Sequence, residues 1–131
     1  MANATALTVT TLTANAAGSA QPTADVLDTG TAAVSLDADV GGLSGRVIIE
    51  VKNTAGTAVN LTVSVLAGDN PPAGRAGLGN LDTVIAQNAT KLIGPLESAR
   101  FIQDNGKLSL TFTPASGTIG AAIRVYKLPK Q

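Results

Sequence analysis

The sequence predicts an all-β protein: an antiparallel β-sandwich, jelly-roll-like, with an extended N-terminal arm. Three observations point there. Apolar and polar residues alternate at period two along several segments rich in Val, Ile, Leu and Thr. Turn-forming residues break these segments roughly every 8 to 12 residues, which is the spacing of a sandwich. No stretch of the 131 residues carries the period of an amphipathic helix. Cys and Trp are both absent, so the Cys-Trp-Cys core of an immunoglobulin domain is excluded.

Two regions follow from composition: residues 1–30 as a strand plus arm, and residues 31–131 as the sandwich. In the first, ALTVTTLTA (6–14) has the Thr and Val of a strand. The following AAGSAQPTADVLDTG holds turn formers without a sustained period and reads as an extended arm or loop. An arm is costly to order, so it is expected to lie on its own domain or on a neighbouring subunit.

In the second region, TAAVSLDA places Val34 and Leu36 on one side of a strand. GRVIIEVKN sets Val47, Ile49 and Val51 against Ile48, Glu50 and Lys52, and AVNLTVSVLA sets Leu61, Val63 and Val65 against Asn60, Thr62 and Ser64. The intervening NTAGTA is predicted to be a hairpin turn. LDTVIAQNATKLIGP reads as two short strands around QNAT. SARFIQ is predicted to pair with KLSLTFTP across Asp104-Asn105-Gly106, because Asn-Gly between alternating segments favours a hairpin. Leu108, Leu110 and Phe112 share one face of the latter strand. IGAAIRVYKLP closes the chain, with Ile123 and Val125 on the face opposite Arg124 and Tyr126.

Composition removes most chemistry. Without His or Cys there is no thiol nucleophile, no Ser-His-Asp arrangement, no common zinc ligand and no neutral-pH proton shuttle. Aromatics are confined to Phe101, Phe112 and Tyr126, too few for the stacking platforms of sugar- or nucleic-acid-binding faces. The net charge is zero, which gives no reason to expect a nucleic-acid partner. No run of 18 apolar residues predicts a membrane helix, and MANATALTVTTLTANAAG lacks the basic and continuous apolar regions of a secretory signal. Charge is nonetheless segregated: residues 1–45 carry Asp25, Asp28, Asp37 and Asp39 without a basic residue, and Lys107, Arg124, Lys127 and Lys130 follow Asp104 without an acid. Such a polar chain suits association with a neighbour of complementary charge.

The most unusual stretch is GDNPPAGRAGLGN (68–80). A phosphate-binding Walker loop needs Gly-Lys followed by Ser or Thr, and a dinucleotide fingerprint needs Gly-x-Gly-x-x-Gly opening a helix. Gly74, Gly77 and Gly79 fit neither, and LDTVIAQ continues as strand. Pro71-Pro72 stiffens the loop and the glycines permit tight turns beyond it, so Asp69, Pro71, Pro72 and Arg75 are candidate partner contacts. Asp25 and Asp28 in the arm are further contact candidates, since the aromatic subsite of a glycosidase acid pair is missing. Asp37-Ala38-Asp39 lacks the third carboxylate and distal Glu of a calcium loop and reads as a solvated turn. Glu97 and Arg100 read as an ion pair with each other or with Arg75. The sequons at Asn3, Asn60 and Asn88 read as accidents of a Thr-rich strand protein. No catalytic constellation, metal site or cofactor is expected.

LTVSVLAGDNPPAGRAGLGNL, GPLESARFIQDNGKLSLTF and the closing GTIGAAIRVYKLPK resemble the small β-rich capsid decoration, or cement, proteins of tailed bacteriophages. The resemblance spans roughly residues 60 to 130 and rests on AGDNPPAGRAG, GPLESARF and the Gly-Thr-Ile-x-Ala ending. It implies a non-enzymatic virion protein, made in the host cytoplasm, that binds the major capsid protein on the capsid exterior, often as a homotrimer. Two other readings fit the residues: a tail or head-fibre component, and a carbohydrate-binding or adhesin module.

Overall fold

The structure, a computed structural model, describes residues 3–15, 17–18, 20–42, 45–68 and 78–129. Among them are nine strands: β1 (Val9–Thr11), β2 (Asp25–Leu27), β3 (Val34–Asp39), β4 (Val47–Asn53), β5 (Leu61–Val65), β6 (Leu81–Ile85), β7 (Thr90–Ile93), β8 (Lys107–Pro114) and β9 (Ala121–Lys127). A single helical turn, α1 (Ser98–Phe101), precedes β8. The strands form two sheets, giving the expected sandwich. One has the order β1-β9-β4-β7 with β2 also on β9, and the other the order β3-β8-β5-β6.

The pairing is nested. β5 pairs with β6, β4 with β7, β3 with β8 and β2 with β9, all antiparallel. The further pairs β4–β9 and β5–β8 then close each sheet. From β2 to β9 these antiparallel pairs make neighbours of residues far apart in sequence.

Alternation decides which side chains go inside. Val47, Ile49 and Val51 of β4 and Ile123 and Val125 of β9 meet Leu61, Val63 and Val65 of β5 and Leu108, Leu110 and Phe112 of β8, all buried. Each such side chain contributes about 1.5–3 kcal/mol through removal from water. With few aromatics, branched aliphatics at strand positions fill the space between the sheets.

Four local expectations are corrected. Residues 54–60 do not form a hairpin: β4 and β5 lie in different sheets, so this connection crosses the sandwich. Asn53 anchors the crossing. Its Nδ2 donates to Val59 O (2.8 Å) and Ile85 O (2.9 Å), and its Oδ1 accepts from Ala55 N (3.0 Å). SARFIQ is not a strand. Phe101 is drawn into the core and the chain turns, with Phe101 N and Ile102 N donating to Glu97 O and Ser98 O. Asp104-Asn105-Gly106 is still a tight turn, but only Gly106 has positive φ (80°). Gly106 N donates to Gln103 O (2.9 Å) and Gln103 N to Lys107 O (2.9 Å).

The remaining corrections concern the first thirty residues. The segment read as loop contains β2, whose Leu27 is fully buried. The first strand is shorter than ALTVTTLTA: Leu7 makes an isolated parallel bridge with Ala38, and Val9–Thr11 run parallel to β9. Leu7 N donates to Asp37 O in one sheet and Leu12 N to Lys127 O in the other, so residues 7–12 strap the two sheets together. This stretch therefore lies on its own domain.

Candidate interaction surface

The two outer faces of the sandwich differ in chemistry. On the four-stranded sheet the register aligns Ser35, Thr111, Ser64 and Asp82 in one row, with Thr113 beside Thr62 and Ser109 beside Asp37. Six of these groups satisfy one another in pairs. Ser35 and Thr111 hydroxyls lie 2.9 Å apart, Ser64 Oγ donates to Asp82 Oδ1 (2.6 Å), and Ser109 Oγ donates to Asp37 Oδ1 (2.5 Å). Val84 is the exposed large apolar side chain of this face.

The five-stranded sheet presents something else. Ile48 of β4 lies opposite Tyr126 of β9, which in turn lies opposite Thr10 of β1. One row along, Arg124, Glu50 and Leu92 align across β9, β4 and β7. Leu12, Ile48, Glu50, Leu92, Tyr126 and Leu128 line an open hollow of about 280 Å³ whose surface is almost wholly apolar. Leu92 is 66% exposed and Leu128 38%, so neither is claimed by the protein's own core. The edge strand β7 brings Thr90 and Lys91 to the border of this patch, both exposed.

The polar groups beside the hollow are held firmly. Arg124 Nη1 donates to Glu50 Oε2 (3.1 Å), and Arg124 Nε donates to Pro22 O (2.8 Å). Tyr126 OH donates to Glu50 Oε1 at 3.4 Å. The pair is mostly covered, each side chain about one-fifth exposed, so it is screened less than a fully exposed ion pair. A rigid apolar surface with a fixed charge pair at its edge is suited to protein contact. Among the described residues no three His, Cys, Asp or Glu side chains are grouped to hold a metal ion.

The sequence-predicted contacts fall elsewhere. Asp25 sits in β2, its carboxylate accepting from Thr8 N (2.7 Å) and Thr8 Oγ1 (3.2 Å), which fastens the strap to the sheet. Asp28 N donates to Asn3 Oδ1 (2.8 Å), and Asp28 Oδ1 is shielded from water without a hydrogen-bond partner. Neither residue lines the hollow. Asp69, Pro71, Pro72 and Arg75 lie outside the described residues. On the two sides of that stretch, Ala67 N donates to Asn80 Oδ1 (2.8 Å) and Gly68 N to Arg100 O (2.6 Å). Arg100 stacks its guanidinium 4.6 Å from the Phe101 ring centre and donates to Gly79 O (3.4 Å). Asp37-Ala38-Asp39, expected as a solvated turn, instead ends strand β3, held in register against Lys107–Ser109, and Asp39 accepts from Gly41 N (3.3 Å). The acidic first part and the basic last part of the sequence thus run side by side within one chain.

Sequence reasoning missed the apolar patch, although a signal existed. Ile48 precedes inward Ile49, and Leu92 precedes inward Ile93. Two consecutive apolar residues in an alternating strand force one of them outward. Comparison with protein-family models, with curated proteins and with solved structures finds no match for this chain.

Proposed function

We propose that the protein is a non-enzymatic structural component of a tailed-phage virion, binding the outer surface of the capsid and reinforcing the shell of major capsid protein. The observation that carries this reading is the contrast between the outer faces. One is a self-satisfied hydroxyl surface suited to water, and the other offers the Leu12–Ile48–Leu92–Tyr126–Leu128 patch. On this reading the apolar face seats against the shell and the hydroxyl face points outward. The resemblance of residues 60–130 to decoration proteins supports the same assignment.

The fold is read as a jelly roll, supported by the nested β2–β9, β3–β8, β4–β7 and β5–β6 pairs, the wrapping of one long ribbon into two Greek keys. The N-terminal residues act as an arm fastened to the sandwich by Asp25 and Arg124, and the copies associate as a homotrimer. Many copies, each with a modest interface, would hold the shell by avidity.

The test is the native mass by light scattering across a dilution series, followed by binding to expanded capsids assembled without the protein. A trimer that fills sites on those capsids is the expected result. A protein that stays monomeric and ignores capsids would refute the reading. A carbohydrate-binding module is the second reading, favoured only by Tyr126 lining the hollow, and glycan binding lost on Tyr126→Ala would establish it instead.

A further inference from the structure

Asn105-Gly106 is the only Asn-Gly pair in the chain. Glycine lacks the Cβ that obstructs attack of a backbone nitrogen on the preceding carboxamide, so this dipeptide is the one most prone to losing its amide. We propose that Asn105 is a latent self-modification site, kept unreactive by the turn that begins β8. In the reaction, Gly106 N loses its proton and bonds to Asn105 Cγ. The Cγ–Nδ2 bond breaks and ammonia leaves. Water then opens the five-membered imide at either carbonyl, giving aspartate or isoaspartate. Water is the only co-reactant, and Asn105 is exposed to it.

The folded turn opposes the step by holding both reacting groups in place. The N–H that must lose its proton is donated to Gln103 O at 2.9 Å. The carboxamide oxygen accepts from Lys107 N at 3.0 Å, and Gln103 N closes the turn onto Lys107 O at 2.9 Å. Ring closure swings Gly106 N onto Cγ, so it requires surrender of the first bond. The second polarises Cγ but pins the carboxamide in the closed turn while Gly106 N is held by Gln103 O. Reaction is therefore gated by local opening of residues 103–107 and is slowed by the cost of that opening.

The consequence reaches the sheet. Lys107 sets the register of β8 against Asp39 of β3, and β8 lies between β3 and β5. An isoaspartyl link adds a backbone carbon immediately before that point and breaks the match. Chemical ageing at Asn105 thus begins where the turn opens and ends in a weakened sheet.

The experiment incubates the full chain in mildly alkaline buffer beside a synthetic peptide of residues 101–109. Both are followed by peptide mapping that separates aspartate from isoaspartate at position 105. The folded chain is expected to convert at least about tenfold more slowly than the peptide, with the rate rising in sub-denaturing urea. Equal rates in chain and peptide would overturn the proposal. So would a peptide that stays intact while other asparagines of the chain convert.

Discussion

Asn53 Nδ2 donates to Ile85 O at 2.9 Å, linking β4 of one sheet to β6 of the other. Asn53 is only 1% exposed, and its remaining side-chain bonds go to the backbone of Val59 and Ala55. Its own N–H and C=O bond to Ala89 O and Asn88 N. Asn53 therefore ties down two of the passages between the sheets, residues 54–60 through its side chain and residues 86–89 through its backbone.

Asn53→Ala strips partners from buried backbone groups and is expected to destabilise the protein by about 3 kcal/mol. Asn53→Asp keeps the shape but loses both donors and buries a charge, so it should do at least as much harm. Urea unfolding of the two variants checks this. A loss below about 0.5 kcal/mol, the range of an ordinary surface change, would show that the node is unimportant.

Gly120 marks the place where the chain entering β9 touches that same crossing. A Cβ there would lie 2.5 Å from Ala55 N and 2.7 Å from Ala55 Cα, both backbone atoms that cannot step aside alone. Thr54 N also donates to Gly120 O at 3.1 Å. Gly120→Ala is expected to cost about 1–3 kcal/mol through overpacking. Thermal melting of the variant is the measurement, and an unchanged midpoint would contradict the close approach.

Asp25 fastens the strap through Thr8. Asp25→Ala is expected to cost about 1–2 kcal/mol and to speed amide exchange over residues 7–12 more than over β4 or β8. Uniform acceleration across the molecule would mean that the strap does not open as a separate unit. Deleting residues 1–24 is a harsher test, since it removes buried Leu7 and all of β1.

How far the sequence could be read follows from the range of each interaction. Strands β3, β4, β5, β8 and β9, with their inward residues, were visible because alternation is local. Partner choice was not, because the nested pairing joins residues such as Asp25 and Ile123 that no local pattern connects. NTAGTA carried hairpin composition, yet the buried Asn53 diverts the chain to the other sheet. β2 is not legible because three residues are too few to show a period. The outward leucine of Lys91-Leu92-Ile93 looked like ordinary strand composition until the burial of Ile93 fixed the direction of its neighbour.

The apolar face itself is tested through Leu92, which protrudes from edge strand β7 and takes little part in folding. Leu92→Asp is expected to leave unfolding free energy within about 0.5 kcal/mol of the parent. The measurement that tests the proposed shell-binding role most directly is co-sedimentation of parent and Leu92→Asp protein with expanded tailed-phage capsids assembled without this protein. Saturable binding by the parent, lost in the folded variant, is the predicted result. Failure of the parent to bind, or equal binding by both proteins, would contradict the proposal that this face seats on a shell.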